Sequence, residues 1–105
     1  MDKRSVKKIV SYLEARLAEK NVEAPQIILF GSQAKKNARK DSDIDLIIVS
    51  ESFRRKSFFK RVDMASDAVG ETIRHFNVPI DALLKTPDEI DGDYLKHIGA
   101  VIFAA

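Results

Sequence analysis

Two short apolar runs constrain this chain more than any other feature. Ile27-Ile28-Leu29-Phe30 leads into Gly31, and Ile44 through Val49 carries Asp45 near its start. Both read as buried strands. Side chains alternate faces along a strand, so Asp43 and Asp45 point the same way and Ile44 the other. Two carboxylates about 7 Å apart along one face can bind a hard divalent cation together. A Gly31-Ser32 turn at the end of the neighbouring strand would set backbone N–H groups and a hydroxyl beside that cation. Those are the parts needed to hold a nucleoside triphosphate.

The rest of the chain supplies helices to cover these strands. Val6, Ile9, Val10, Leu13 and Leu17 recur at helical spacing, which predicts a helix from about Val6 to Lys20 with Ser5 as its N-cap. The turn Asn21 to Pro25 ends it, and Gln26 to Phe30 is the first strand. Ser32 to Asn37 is expected as a short helix, Asp43 to Val49 as the second strand, and Glu51 to Lys56 as a polar loop. Phe58, Phe59, Val62, Ala65, Val69, Ile73 and Phe76 form an apolar stripe that predicts a helix from about Ser57 to Phe76, with both phenylalanines expected in the core. Pro79 cannot continue that helix. Ile80 to Leu84 is the third strand and carries Asp81. Thr86-Pro87-Asp88-Glu89 is a helix start with a capping box, leading to about Ile98 with a break at Gly92. Ala100 to Ala105 is a last strand. The order α-β-α-β-α-β-α-β gives an α/β (α+β) class, a helix-covered sheet in which periodicity leaves the strand directions open.

A chain of 105 residues fits one domain over 1–105 with one core. With 45% hydrophobic and 32% charged residues, the composition is that of a globular protein. No cysteine is present, which excludes disulfides and thiolate metal sites. No apolar run approaches a membrane span, and the N-terminus lacks a signal-peptide apolar core, so a cytoplasmic protein is expected. A net charge of +2 is too small to argue for direct nucleic-acid binding.

The carboxylates admit more than one reading. Asp41-Ser42-Asp43 also looks like turn chemistry, so a solvated turn stands beside the metal reading. A calcium loop opening at Asp41 fails where Leu46 stands in place of glycine and Ser52 in place of the closing glutamate. Gly31-Ser32 belongs to neither a P-loop nor a dinucleotide fingerprint. Followed ten residues later by D-x-D on a strand, however, it becomes specific. Two basic clusters flank these elements. Lys35, Lys36, Arg39 and Lys40 lie between turn and strand. Arg54, Arg55, Lys56, Lys60 and Arg61 lie at a helix start, where cations are mildly unfavourable, and read as a solvated face or a docking surface. His75 and His97 have no partner at ligand spacing and read as surface or helix-end residues.

Gly31-Ser32-x10-Asp43-Ile44-Asp45 resembles the G-S-x10-D-x-D signature of the DNA polymerase β-like nucleotidyltransferase superfamily. The wider run from Phe30 to Lys35 and from Asp41 to Leu46 is similar to its minimal nucleotidyltransferase (MNT) group. Gln33 and Lys36 stand where many relatives carry arginine and glycine. The resemblance implies a nucleotidyltransferase fold, a small mixed sheet of about four strands flanked by helices. It implies a third carboxylate on a later strand, for which Asp81 is the candidate. Asp43, Asp45 and Asp81 would then hold two Mg²⁺ ions, with Mn²⁺ as a substitute, and carry catalysis. Gly31, Ser32, Gln33 and Lys35 would contact the phosphates of the substrate, ATP. The implied reaction places a nucleoside monophosphate on a hydroxyl.

MNT proteins that stand alone resemble antitoxins paired with a HEPN-domain toxin, and that pairing implies AMP transfer to a toxin tyrosine. Two other classes remain open. One is a binding module that neutralises a partner by covering it, with the nucleotide site idle. The other is a homodimeric enzyme acting on a small molecule, akin to aminoglycoside-modifying nucleotidyltransferases.

Overall fold

The structure, a computed structural model, describes residues 3–23, 25–31 and 43–103. Its elements are α1 (Lys3–Glu19), β1 (Gln26–Phe30), β2 (Ile44–Val49), α2 (Phe58–Phe76), β3 (Ile80–Lys85), α3 (Gly92–His97) and β4 (Val101–Phe103). The short helix expected over 32–37 lies outside the described residues. The strands form one mixed sheet in the order β3-β2-β1-β4. β1 pairs antiparallel with both β2 and β4, and β2 pairs parallel with β3. The parallel pair is joined by α2, a helical crossover of the kind that parallel strands require. Among the described residues no helix is long and apolar enough to cross a membrane.

Strand alternation divides the core into two layers. Ile27, Leu29, Ile44, Leu46, Ile48 and Ile80 face α1 and α2 and bury against Val6, Ile9, Leu13, Leu17, Ala65 and Ala68. Ile28, Ile47 and Val49 face the other way and are covered by Leu95 of α3. The sheet is therefore thickly covered on one face and thinly on the other, and Asp45 belongs to the thin side by alternation.

Four expectations are corrected. α1 begins at Lys3, so Ser5 lies within its first turn and does not cap it. Lys and Arg are good helix formers, and the helix extends upstream of its apolar stripe. Residues 51–53 are not plain loop but a 3₁₀ turn, and Phe53 is wholly buried in the main core. Ser50 caps that turn by accepting from Ser52 N–H, and it donates to the Glu23 carbonyl at 2.9 Å. Phe58 and Phe59, expected in the core, are 72% and 81% exposed. The side of α2 that is buried carries Ala65, Ala68 and Thr72. The apolar stripe of this helix is wider than the surface the sheet covers. The break expected at Gly92 falls just before it, at residues 90–91, between a 3₁₀ turn at Pro87–Glu89 and α3, which Gly92 opens.

The second basic cluster also gains a structural account. Arg54 donates to Glu51 and Asp88. Arg61 donates to the Lys56 and Leu84 carbonyls and, at 2.7 Å, to Glu89 Oε1. The same Glu89 oxygen accepts Thr86 N–H. These two arginines tie the start of α2 to the turn after β3. Arg55, Lys56 and Lys60 stay exposed.

Two outcomes follow from this packing. Phe53→Ala should cost about 3–5 kcal/mol, read from urea unfolding, because it empties a fully buried aromatic site. The Glu89 carboxyl is held down to about 2, from an ordinary 4.5, mainly by the Arg61 guanidinium and then by Thr86 N–H. Because folding lowers this pKa, the stabilisation is complete above 4.5 and fades as pH falls towards 2. Glu89→Gln should therefore cost about 1 kcal/mol at neutral pH, and the gap to the parent protein should close across that acid window.

Candidate active site

The geometry begins with strand register. In the parallel β2–β3 pair, Asp45 stands directly opposite Asp81. Side chains opposite one another on neighbouring strands share a face, so the two carboxylates lie side by side. Asp43 precedes β2 by one residue and lies two residues from Asp45. Burial raises the Asp45 carboxyl above the ordinary carboxylate range, and the negative charges of Asp81 and then Asp43 raise it further. The three aspartates thus share one electrostatic neighbourhood, with Asp45 half-buried at its centre and Asp43 and Asp81 exposed around it.

The bend after β1 meets the same carboxylate. Phe30 pairs with Asp45 across the antiparallel β1–β2 ladder. Gly31 follows with φ +73°, a conformation that side chains other than glycine rarely adopt. A Cβ on Gly31 would overlap Asp45 Oδ2, so glycine is required both by backbone angle and by the approach of the carboxylate. The glycine of that signature therefore has a local reason that spacing alone does not reveal. Ser32, Gln33 and Lys35 lie outside the described residues.

An exposed apolar side chain stands beside the carboxylates. Leu83 is two residues beyond Asp81 and shares its face, yet it is 49% exposed. On the same face Ile47 and Val49 are buried beneath Leu95. The sequence places Leu83 on the third strand without assigning it a face. The Asp81-x-Leu83 alternation was the signal that places it on the site face. Acidic groups beside an exposed apolar side chain suit a ligand with a charged end and a flat, apolar body.

Among the described residues, no three Asp, Glu or His side chains close into a ready-made metal cage. The donor set nonetheless suits a hard cation. Carboxylate oxygens are the ligands Mg²⁺ takes, and a divalent charge would reverse the repulsion that now raises Asp45.

Comparison with known proteins bears on this arrangement. The model of the polymerase beta nucleotidyltransferase family matches residues 7–100, which include Gly31, Asp43, Asp45 and Asp81. Among solved structures, a candidate nucleotidyltransferase from Sulfolobus solfataricus is similar with a TM-score of 0.60 and 20% identity, over 98% of this chain and 88% of that one. A doubly substituted form of the MntA–HpeT toxin–antitoxin complex is similar with a TM-score of 0.53 and 12% identity, over 87% of this chain and 70% of that one. Among curated proteins no sequence matches significantly. At such identities the structural likeness concerns the fold, and the family rests on the match that runs from α1 through the region of α3. Sheet, register and family match agree, and the chain belongs to the polymerase β nucleotidyltransferase family.

Proposed function

We infer that this nucleotidyltransferase transfers AMP from ATP to a hydroxyl, and that the acceptor is a tyrosine of a HEPN-type toxin for which the chain is the antitoxin. The observation that carries the reading is the pairing of Asp45 with Asp81 beside Gly31, on the sheet face that the two long helices leave free. The likeness in fold to MntA, a member of a toxin–antitoxin complex, supports the choice of partner.

Asp43, Asp45 and Asp81 would hold Mg²⁺, or Mn²⁺ in its place. Bound there, the metal would supply charge neutralisation for the triphosphate and a lowered pKa for the attacking hydroxyl. The residues themselves perform the remaining tasks. Gly31 lets the backbone turn tightly against Asp45, and Ser32, Gln33 and Lys35 follow as contacts for the phosphates. The acceptor oxygen bonds to the α-phosphorus as the bond to the bridging oxygen of the β-phosphate breaks. Pyrophosphate leaves, and the hydroxyl proton passes to Asp81, which is exposed and can exchange it with solvent. Leu83 would give the acceptor ring or the base an apolar surface to rest on.

The test is incubation with labelled ATP and Mg²⁺, with and without a HEPN toxin. Label should reach a toxin tyrosine, and EDTA should abolish transfer. Asp45→Asn and Asp81→Asn should each lower the rate at least about 100-fold while far-UV circular dichroism is unchanged. Transfer that survives both substitutions would refute the site. A toxin that is neutralised without any label would point to the covering module instead. Gly31→Ala should lower transfer at least about tenfold and cost about 1–2 kcal/mol in urea unfolding, through backbone strain and displacement of Asp45.

A further inference from the structure

One flank of α2 carries apolar side chains that the core covers only in part. Val62, Ala65, Ser66, Val69, Gly70 and Ile73, together with Ala82 and Leu84 of β3, line an open groove of about 260 Å³. β3 is the last strand of the sheet, so this flank of α2 stands at the sheet's open edge. One turn before Val62, Phe58 and Phe59 extend the same apolar side and are largely exposed. Strand addition at this edge is hindered, because the Arg61 guanidinium already occupies the Leu84 carbonyl. A helix is the better occupant.

The flank of the groove is charged in a way that selects which helix. Asp63 and Arg74 are eleven residues apart, about three turns, so they lie on the same side of α2 at opposite ends of the groove. The Arg74 guanidinium lies against Gly70, at the groove's rim. Asp67 is exposed near Asp63. Among the described residues no ion pair engages Asp63, Asp67 or Arg74. One end of the rim is therefore acidic and the other basic, and this is the pattern that an antiparallel copy of the same helix satisfies.

We propose that two copies of the chain associate through antiparallel α2 helices, each laying its stripe in the other's groove about a two-fold axis near residue 68. In that register Ser66 faces Gly70 of the second copy, and two small residues let the helix backbones approach. Val62 meets the second copy's Ile73. Asp63 meets the second copy's Arg74, twice by symmetry. The contact is self-complementary in shape and in charge. It uses the face of β3 that carries Ala82 and Leu84, so the Asp45–Asp81 face stays open on both copies.

Sedimentation equilibrium of the chain over a concentration series tests this. A reversible dimer is expected. Val69→Glu should weaken it about 100-fold by burying an unpaired charge. Asp63→Arg and Arg74→Asp, both at exposed positions, should each weaken it about tenfold, and the two together should restore it to within about threefold. Circular dichroism and thermal unfolding establish that each variant is folded. The proposal falls if the chain stays monomeric up to about 1 mM. It also falls if the dimer ignores both charge reversals, or if Val69→Glu spares self-association and instead disrupts the complex with a toxin, which would assign the groove to that partner.

Discussion

Parallel pairing of β2 with β3 is the constraint on which the site depends. It sets Asp45 opposite Asp81, whose negative charge adds to burial in raising the Asp45 carboxyl. The cost is borne because the opposite faces of the same strands are firmly anchored. Ile44, Leu46, Ile48 and Ile80 are almost wholly buried beneath α1 and α2. Slipping the register by one residue would relieve the repulsion but turn the buried set of β3 towards the thinly covered face. Hydrophobic burial on one face thus holds two carboxylates side by side on the other.

The same division explains where the helices contribute. α1 and α2 give the sheet its stability and stand away from the carboxylates. α3 is short and its Leu95 covers Ile28, Ile47 and Val49 on the site face, while Asp45 is half-buried and Asp81 exposed. The bend at Gly31 closes that end from the β1 side, because glycine alone can bring its backbone onto Asp45. An open acidic face with one rigid wall fits a family whose members transfer nucleotides to acceptors of their own.

Much of this was legible in the residues. The apolar runs marked β1 and β2, the helical recurrence of apolar residues marked α1 and α2, and Gly31-Ser32 followed by Asp43 and Asp45 marked the candidate site. The misreadings share one cause. Phe53 sits in a polar run without periodicity, and its burial depends on a 3₁₀ turn tied to Glu23 by the Ser50 hydroxyl. Phe58 and Phe59 do obey the period of their helix, but the sheet is too narrow to cover that side of α2. The tie that Arg54 and Arg61 make between α2 and the turn after β3 was hidden because Asp88 and Glu89 are some thirty residues away.

By itself the sequence determined the order of elements and the residue types the site would contain, because periodicity and turn chemistry are local properties of the chain. It also set Asp43 and Asp45 two residues apart at the start of β2. Only the tertiary structure decided that β3 runs parallel to β2, which residue of β3 faces Asp45, and which side of α2 is left bare. Those are questions of which distant segments meet, and they are answered by burial summed over the whole sheet.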